Sequence, residues 1–341
     1  MNRPAKSYRY YTSDVFSSSI FGGNPLAVVL DADDIDSATM QKIAREFNYS
    51  ETTFVRTPGQ TESDAAQIAG SALRFNVRIF TPERELPFAG HPTLGTAAVL
   101  AHCGRTPLRC AKKPAGLEHT EIILVEQVGD VAVSLSADEG AAQNDATYFA
   151  RLRAARPIQF SPEDAPDREI LARILSLEAE DIGAVDAQGN EYAVRGASTG
   201  IPSLNVPVRN RDILARARVR LDLWERHLKS SWAPDPYLFT FDAEDPDSQI
   251  RARKFALTAG IGEDPATGSA AVTLAGYLAE HNPQLRDTTD GEFDWRIEQG
   301  YEMGRPSILN ARAAKANGKI TSLSVGGDSV IVCAGSLRVP G

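Results

Sequence analysis

One short stretch of sequence decides the fold, because it occurs twice in closely similar form. The copies read PTLGTAAV at residues 92–99 and PATGSAAV at residues 265–272, and they share the proline, the glycine, two alanines and the valine at matching positions. About half of the 341-residue chain separates them. This spacing favours two lobes of matching design, each with one such helix, over a single continuous sheet.

Both copies predict a helix that is apolar on nearly every face. The apolar residues that leave little room for a polar stripe are Val99, Leu100, Ala101, Val272, Leu274, Ala275, Leu278 and Ala279. Such a helix is buried all round. The flanking segments have strand patterns, for example the alternation of apolar and polar residues from 73 to 80. The predicted class is therefore α+β, with two pseudo-symmetric lobes, each a curved and mostly antiparallel sheet around a buried central helix.

The boundary between the lobes is predicted where strand patterns give way to small, polar and proline-rich sequence. Residues 140–144 are small and polar, and residues 154–167 contain prolines among charges. We predict an N-terminal lobe at residues 1–130, with its central helix from Pro92, and a C-terminal lobe at residues 131–341, with its central helix from Pro265. For the last strand, about residues 329–339, a return to the N-terminal lobe is an open alternative.

The starts of the two central helices are candidate binding sites for an acid. In each copy a proline is predicted at the first helical position, and a glycine follows three residues later. The first amides of a helix lack intrahelical partners and lie at the positive end of its dipole, which favours a carboxylate there. Ordinary capping is the alternative. His91 and Asp264, which stand just before the two prolines, add a proton-active side chain to each start, although Asp264 alone could be an N-cap.

Composition and charge exclude several classes of protein. The hydrophobic share of 42% and the charged share of 24% are those of an average globular protein. A net charge of -9 without any run of Lys and Arg disfavours binding to nucleic acid or to a membrane surface. The first eleven residues lack the apolar core of a signal peptide. A cytoplasmic location is therefore expected.

Cysteines, histidines and glycines show no pattern of a metal or nucleotide site. Cys103, Cys110 and Cys333 form no CxxC pair, and the five histidines have no ligand spacing. Residues 260–262 lack the third glycine of a dinucleotide motif, and residues 262–268 lack the lysine of a P-loop. We predict no metal, no cofactor and no disulfide framework.

Six blocks of sequence stand in an order that is typical of one family. They are GNP at 23–25, SET at 50–52, GHPTLG at 90–95, STGIP at 198–202, GEDPATGSA at 262–270, and QG at 299–300 with MGRP at 303–306. On these blocks the chain resembles the PhzF-like family of phenazine biosynthesis, over most of its length. The resemblance implies the fold of diaminopimelate epimerase, with a cleft between two lobes that holds a small acid, and it implies a homodimer.

The resemblance also implies roles for individual residues. Glu51 matches the family's proton-transferring glutamate. The positions that match substrate-binding residues are Asn24, Gly90, His91, Asp264, Gly268 and Ser269. Epimerases of this fold use a pair of cysteines at the helix starts, but Ala89 and Pro265 stand at those places here, which disfavours a two-thiol racemase.

The preferred function is a cofactor-independent isomerase that moves a proton between carbons of a small carboxylate-bearing metabolite by general acid-base catalysis. A family member that binds a small acid without turnover is one alternative. A serine hydrolase is another, because residues 196–200 satisfy the G-x-S-x-G pattern around Ser198. That pattern needs a helix after the serine, and the β-rich residues 204–208 oppose a helix there.

Overall fold

The computed structural model describes residues 5–56, 72–106, 120–137 and 146–340, and the chain divides into two compact units. The first unit is Met1–Leu152 with Gly326–Gly341, and the second is Arg153–Val325. The boundary lies later than the predicted one at 130/131, because the strand Gly129–Ala137 pairs within the first unit with the strand that begins at Tyr148. Residues 140–144, where composition suggested the boundary, lie outside the described residues.

The first unit is a closed ring of strands around one helix. Its strands are β1 (Lys6–Val15), β2 (Asn24–Val29), β3 (Glu51–Arg56), β4 (Leu73–Phe80), β5 (Glu85–Leu86), β6 (Thr120–Glu126), β7 (Gly129–Ala137), β8 (Tyr148–Arg153) and part of β18 (Lys319–Val339). The ring runs β1-β2-β3-β4-β6-β7-β8-β18 and closes where β18 pairs with β1. From Gly326 onward the last strand belongs to this unit. The sequence analysis left open this return of the last strand to the N-terminal lobe.

Two helices complete the described part of the first unit. Helix α1 (Ser37–Phe47) begins after Asp36, whose side chain accepts a hydrogen bond from the Thr39 amide. Helix α2 (Gly90–His102) is buried at every position from 91 to 101, as the apolar pattern predicts. It connects β4 to β6, which run parallel and therefore need a crossover connection.

The second unit repeats this design. Its strands are β9 (Gln159–Phe160), β10 (Ala184–Val185), β11 (Glu191–Tyr192), β12 (Arg195–Ser198), β13 (Pro202–Pro207), β14 (Pro236–Thr240), β15 (Ile250–Lys254), β16 (Gly291–Gln299) and β17 (Ser307–Ala316). Its helices are α3 (Arg168–Leu175), α4 (Arg211–Arg216), α5 (Leu221–His227), α6 (Gly268–His281) and α7 (Pro283–Arg286). Its main sheet runs β9-β12-β13-β14-β15-β16-β17-β18. None of the helices in the described ranges is long and apolar enough to cross a membrane.

The two units share one sequence of strand pairings. In the first unit, β1-β2, β2-β3, β3-β4, β4-β6 and β6-β7 are antiparallel, parallel, antiparallel, parallel and antiparallel. In the second, β12-β13, β13-β14, β14-β15, β15-β16 and β16-β17 follow the same alternation. Helices α2 and α6 occupy the same step in each series. The predicted α+β class with two pseudo-symmetric, mostly antiparallel lobes is therefore confirmed.

The central helices do not begin where the prolines predict. Helix α2 begins at Gly90, so Pro92 lies inside its first turn, where a missing N–H removes no helical hydrogen bond. Helix α6 begins at Gly268, three residues after Pro265. There the Asp264 amide donates to the Lys254 carbonyl in an isolated β-bridge. This bridge keeps the chain extended and delays the helix, so the prediction of proline at the first helical position is wrong in both lobes.

The two faces of β13 have different environments. Leu204 and Val206 belong to a core that they share with Leu171 of α3, Leu214 of α4 and Trp224 of α5. Because side chains alternate along a strand, Ser203 and Asn205 point to the opposite face of the sheet. That face is the side of α6, which contacts β13.

Candidate active site

Three of the predicted site residues meet in the first unit. Asn24 is the first residue of β2, Glu51 is the first residue of β3, and His91 is the second residue of α2. All three side chains are buried. The turn before Asn24 requires glycine, because Gly23 has a φ of +62° and an added Cβ would lie 2.4 Å from the Val15 carbonyl oxygen.

A chain of hydrogen bonds determines which ring nitrogen of His91 carries the proton. Ser50 Oγ donates to Asn24 Oδ1 over 3.0 Å, and the Asn24 amide nitrogen lies 3.2 Å from His91 Nδ1. An amide nitrogen only donates, so Nδ1 accepts and the proton is on Nε2. Nε2 lies 3.4 Å from Glu51 Oε2. The N–H of His91 is therefore on the side of the Glu51 carboxyl group, but Nε2 and Oε2 do not complete a hydrogen bond.

His91 is a neutral hydrogen-bond donor at physiological pH. Burial lowers the pKa of its imidazole to about 3, because the charged form loses its hydration inside the protein. The contact with Glu51 is thus a neutral N–H beside a carboxyl group and not an ion pair. At 3.4 Å it is longer than an ordinary N–H···O bond, and such contacts often shorten when a substrate binds.

The start of α2 lacks a side-chain cap. Its N-cap residue is Ala89, which has no polar group, and the first helical residue, Gly90, is partly exposed. On this helix Thr93 donates its hydroxyl hydrogen to the Ala89 carbonyl oxygen over 2.7 Å. Thr93 Oγ also donates to Glu126 Oε1, over 2.6 Å. A hydroxyl has one hydrogen, so the Ala89 carbonyl and the Glu126 carboxyl group share it.

Glu126 was not among the predicted residues. Burial raises the pKa of its carboxyl to about 8, although the hydrogen bond from Thr93 acts in the opposite direction. The sequence signal that could have identified Glu126 is an acidic residue at the end of the apolar strand β6. Along α2, His91 and Thr93 are two positions apart, so they point to nearly opposite sides of the helix. Glu126 therefore lies on the other side of the helix start from Glu51.

The other three predicted residues, Asp264, Gly268 and Ser269, lie in the second unit. Asp264 is 8% exposed and belongs to the segment between β15 and α6. Its carboxylate accepts a hydrogen bond from the Thr267 hydroxyl, and its carbonyl oxygen accepts one from Gln299 Nε2 over 2.7 Å. Gly268 and Ser269 are the first two residues of α6.

The start of α6 also lacks a side-chain cap. Thr267 is its N-cap residue, but its hydroxyl is bonded to Asp264 and Gln299 and does not cap the helix. Sequence reasoning missed the second-unit groups that hold Asp264, namely Thr267, Gln299 and the buried Lys254. Gln299 stood in a family block, and Lys254 was visible as a charge in a strand that is otherwise buried.

The structure gives no support to a serine nucleophile or to a reactive cysteine in the described residues. Ser198 ends β12, and β13 follows in an antiparallel hairpin, so the helix required after a nucleophilic serine is missing. Burial raises the pKa of the Cys103 thiol, which disfavours a reactive thiolate there. Cys333 is exposed, and Cys110 lies outside the described residues. In the described part of the chain, no three His, Cys, Asp or Glu side chains are grouped to hold a metal ion.

Comparison with known proteins gives consistent matches along the whole chain. Residues 13–335 match the family described as phenazine biosynthesis-like protein. The chain is 34% identical to a Mesorhizobium japonicum protein named as an uncharacterized isomerase, over 97% of this chain and 98% of that protein. It is 33% identical to the trans-2,3-dihydro-3-hydroxyanthranilate isomerase of Pseudomonas chlororaphis, over 97% and 99%.

A solved structure supports the fold. The crystal structure of a PhzF-family phenazine biosynthesis protein from Bacillus anthracis matches with a TM-score of 0.79, covering 98% of this chain and 100% of that one. The sequence identity in this match is 24%, so it is evidence for the fold alone.

Proposed function

Because the chain belongs to the phenazine biosynthesis-like family, whose relatives here are named isomerases, we propose that it is a cofactor-independent isomerase that moves a proton between carbons of a small carboxylate-bearing metabolite. The observation that carries the proposal is the geometry around Glu51. A buried carboxylate faces the N–H of a neutral histidine whose tautomer is held by Asn24.

Glu51 acts as the general base in this proposal. It removes a proton from a substrate carbon and returns it to another carbon of the same molecule, so that the enzyme is unchanged after turnover. His91 stays neutral throughout, because a ring with so low a pKa is a poor proton acceptor. It donates a hydrogen bond to Glu51 or to a substrate oxygen, and thereby orients the reacting groups.

Acid recognition is proposed for the two helix starts. The first amides of α2 and α6 have no side-chain cap, and the positive end of each helix dipole favours an anion. Asp264 and Ser269 would contact polar substituents of the substrate. The proposal places the reaction in a cleft between the two lobes, as the family resemblance implies.

The first candidate substrate is trans-2,3-dihydro-3-hydroxyanthranilate, because relatives are named for its isomerisation. This compound has a carboxylate, an amino group and a hydroxyl group, which suit an anion site together with an acceptor such as Asp264. We further propose a cytoplasmic homodimer without nucleic-acid or membrane partners. The net charge of -9 supports the absence of nucleic-acid and membrane partners.

Proton exchange from deuterated water tests the role of Glu51. We expect wild-type protein to incorporate deuterium into the candidate substrate, and Glu51→Gln to reduce kcat by at least about 100-fold with little change in KM. The amide keeps the size of the side chain and loses its basic oxygen. Glu121→Gln, the same chemical change at an exposed position of β6, is the matched control and should exchange normally.

Two outcomes would contradict the proposal in different ways. Exchange by Glu51→Gln at the wild-type rate would show that another group is the base, with Asp264 or His91 as the next candidates. Binding of the substrate by the wild-type protein with neither exchange nor formation of product would favour the alternative of a family member that binds a small acid and does not convert it.

A further inference from the structure

A buried lysine lies beside Asp264 in the second unit. Lys254, the last residue of β15, is 3% exposed. Its Nζ donates to Ser203 Oγ over 2.9 Å and to the Asp235 carbonyl oxygen over 3.0 Å. An ammonium group has three N–H donors, so the site can satisfy a further acceptor.

Two carboxylates and one phenol surround this ammonium group. Asp235 and Asp264 both interact with it electrostatically and favour its charged form. Tyr237 is its neighbour across the β14-β15 register. The Asp235 carboxylate already accepts two hydrogen bonds from Thr258, one from its amide and one from its hydroxyl. Asp264 is the one of these two carboxylates that the sequence analysis places among the substrate-binding residues.

The backbone keeps Asp264 at this position. The Asp264 amide donates to the carbonyl oxygen of Lys254 itself over 2.9 Å, and Gln299 holds the Asp264 carbonyl oxygen. The two residues are thus joined through the main chain, while their side chains carry opposite charges inside the protein. This geometry does not depend on how the substrate binds.

The stability of the fold alone does not explain why a lysine is buried at position 254. Burial lowers the pKa of its ammonium group to about 8, although both carboxylates act in the opposite direction. The Asp235 carbonyl oxygen also accepts a hydrogen bond from the Leu204 amide, so it keeps a partner without the lysine. Buried charges of this kind are often neutral or unfavourable for folding and are concentrated at functional sites.

A second polar residue on the same face supports this interpretation. Asn205 follows Ser203 on β13, in register with Tyr237, and is fully buried. In the described residues, neither its amide oxygen nor its amide nitrogen has a hydrogen-bond partner. Polar residues therefore form a cross-strand row of Asn205, Tyr237 and Lys254, where a core selected for stability would hold apolar side chains.

We propose that Lys254 is a positioning residue: its buried ammonium group holds Asp264 as a carboxylate, ready to accept a hydrogen bond from a polar substituent of the substrate. The role in substrate binding rests on the proposed function. The effect of Lys254 on the charge of Asp264 is a property of the second unit alone.

The charge of Asp264 can be measured without any substrate. Carbon-13 NMR follows the side-chain carboxyl of Asp264, which is assigned by its absence in Asp264→Asn. We expect Lys254→Met to move the titration of this carboxyl to higher pH, because the opposite charge that favours the carboxylate is gone. Methionine fills a similar volume with an apolar chain, so the fold should be retained.

Lys315→Met is the matched control for this measurement. Lys315 is a second buried lysine of the same unit, and its Nζ donates to the carbonyl oxygens of Leu285 and Arg286. Its replacement should leave the titration of Asp264 unchanged. If Lys254→Met is folded and Asp264 titrates as in the wild-type protein, the proposal is overturned.

The pH profile of turnover tests the link to catalysis, with trans-2,3-dihydro-3-hydroxyanthranilate as the probe. We expect Lys254→Met to lower kcat/KM at neutral pH by about tenfold or more, mainly through KM, because Asp264 without its counter-charge is then mostly protonated. The kcat/KM of this variant should recover as the pH rises and Asp264 ionises, whereas the wild-type protein should show no such rise.

The outcomes separate the two proposals. Wild-type activity and an unchanged pH profile in Lys254→Met would show that the ammonium group has no part in turnover. Absence of turnover in the wild-type protein would count against the proposed function with this substrate, and the titration of Asp264 would still decide the role of Lys254.

Discussion

At His91, two neighbouring side chains decide the chemistry of the ring. Asn24 donates to Nδ1 and is itself oriented by Ser50. Asn24 therefore serves Glu51 indirectly, through the histidine. The sequence predicted it to contact substrate, and its observed hydrogen bonds support a positioning role in the same site.

Replacement of Asn24 by aspartate should reverse the tautomer of His91. A carboxylate only accepts hydrogen bonds, so it would pair with an N–H at Nδ1 and leave Nε2 without its proton. We expect the ¹⁵N chemical shifts of the two ring nitrogens to exchange their assignments, and proton exchange to fall with kcat. Ring shifts that stay as in the wild-type protein would show that Asn24 does not set the tautomer.

Glu126 should make the protein less stable as the pH rises. Its carboxyl has a pKa of about 8 in the folded protein, against an ordinary glutamate value of 4.5, so between these values only the folded state holds the proton. The contribution is complete below about pH 4.5 and is lost as the pH rises to 8, with a slope of at most about 1.4 kcal/mol per pH unit. Urea unfolding at several pH values should show this slope in the wild-type protein and its loss in Glu126→Gln. Equal slopes in both proteins would mean that Glu126 is ionised in the folded state.

At the scale of elements, the close approach of α2 to the sheet requires glycine at position 95. An added Cβ would lie 2.5 Å from Val15 Cγ2 and 2.6 Å from Leu26 Cδ2, and both of these side chains are fully buried. The sequence analysis noted this glycine only as the residue three positions after Pro92, at a helix start that could bind an acid. In the structure, the neighbours of Gly95 are core side chains of β1 and β2.

Gly95→Ala should therefore destabilise the fold. Overpacking of this kind costs about 1–3 kcal/mol, and the better helix propensity of alanine recovers up to about 1 kcal/mol of it. We expect a net loss of about 1–2 kcal/mol in the free energy of unfolding, measured in urea. Gly262→Ala is the control, since an added Cβ there meets nothing within 4 Å. A Gly95→Ala protein as stable as the wild type would show that the strands can move away from the helix.

At the scale of the whole molecule, one design is used twice for different chemistry. Both units have the same alternation of parallel and antiparallel pairs and a central crossover helix. The first unit adds Glu51 and a neutral histidine, whereas the second adds Asp264 and a buried lysine. Equivalent scaffolds thus hold a carboxyl group beside a neutral histidine in one unit, and a carboxyl group near a buried lysine in the other.

The sequence by itself determined the architecture and named the candidate site residues. Repetition of PTLGTAAV as PATGSAAV, and the apolar faces that follow, are local patterns that report burial and helical period directly. They predicted two lobes and two central helices. The SET and GHPTLG blocks also marked Glu51 and His91, which the structure brings to 3.4 Å.

Only the tertiary structure decided how the buried polar groups are paired. The delayed start of α6 depends on a bridge between residues 254 and 264, and the tautomer of His91 depends on a side chain 67 positions away. Strand register brings Lys254 to Ser203 and Asp235, which are distant in sequence. Local patterns indicate whether a residue is buried, but the partner of a buried charge depends on which segments the fold places side by side.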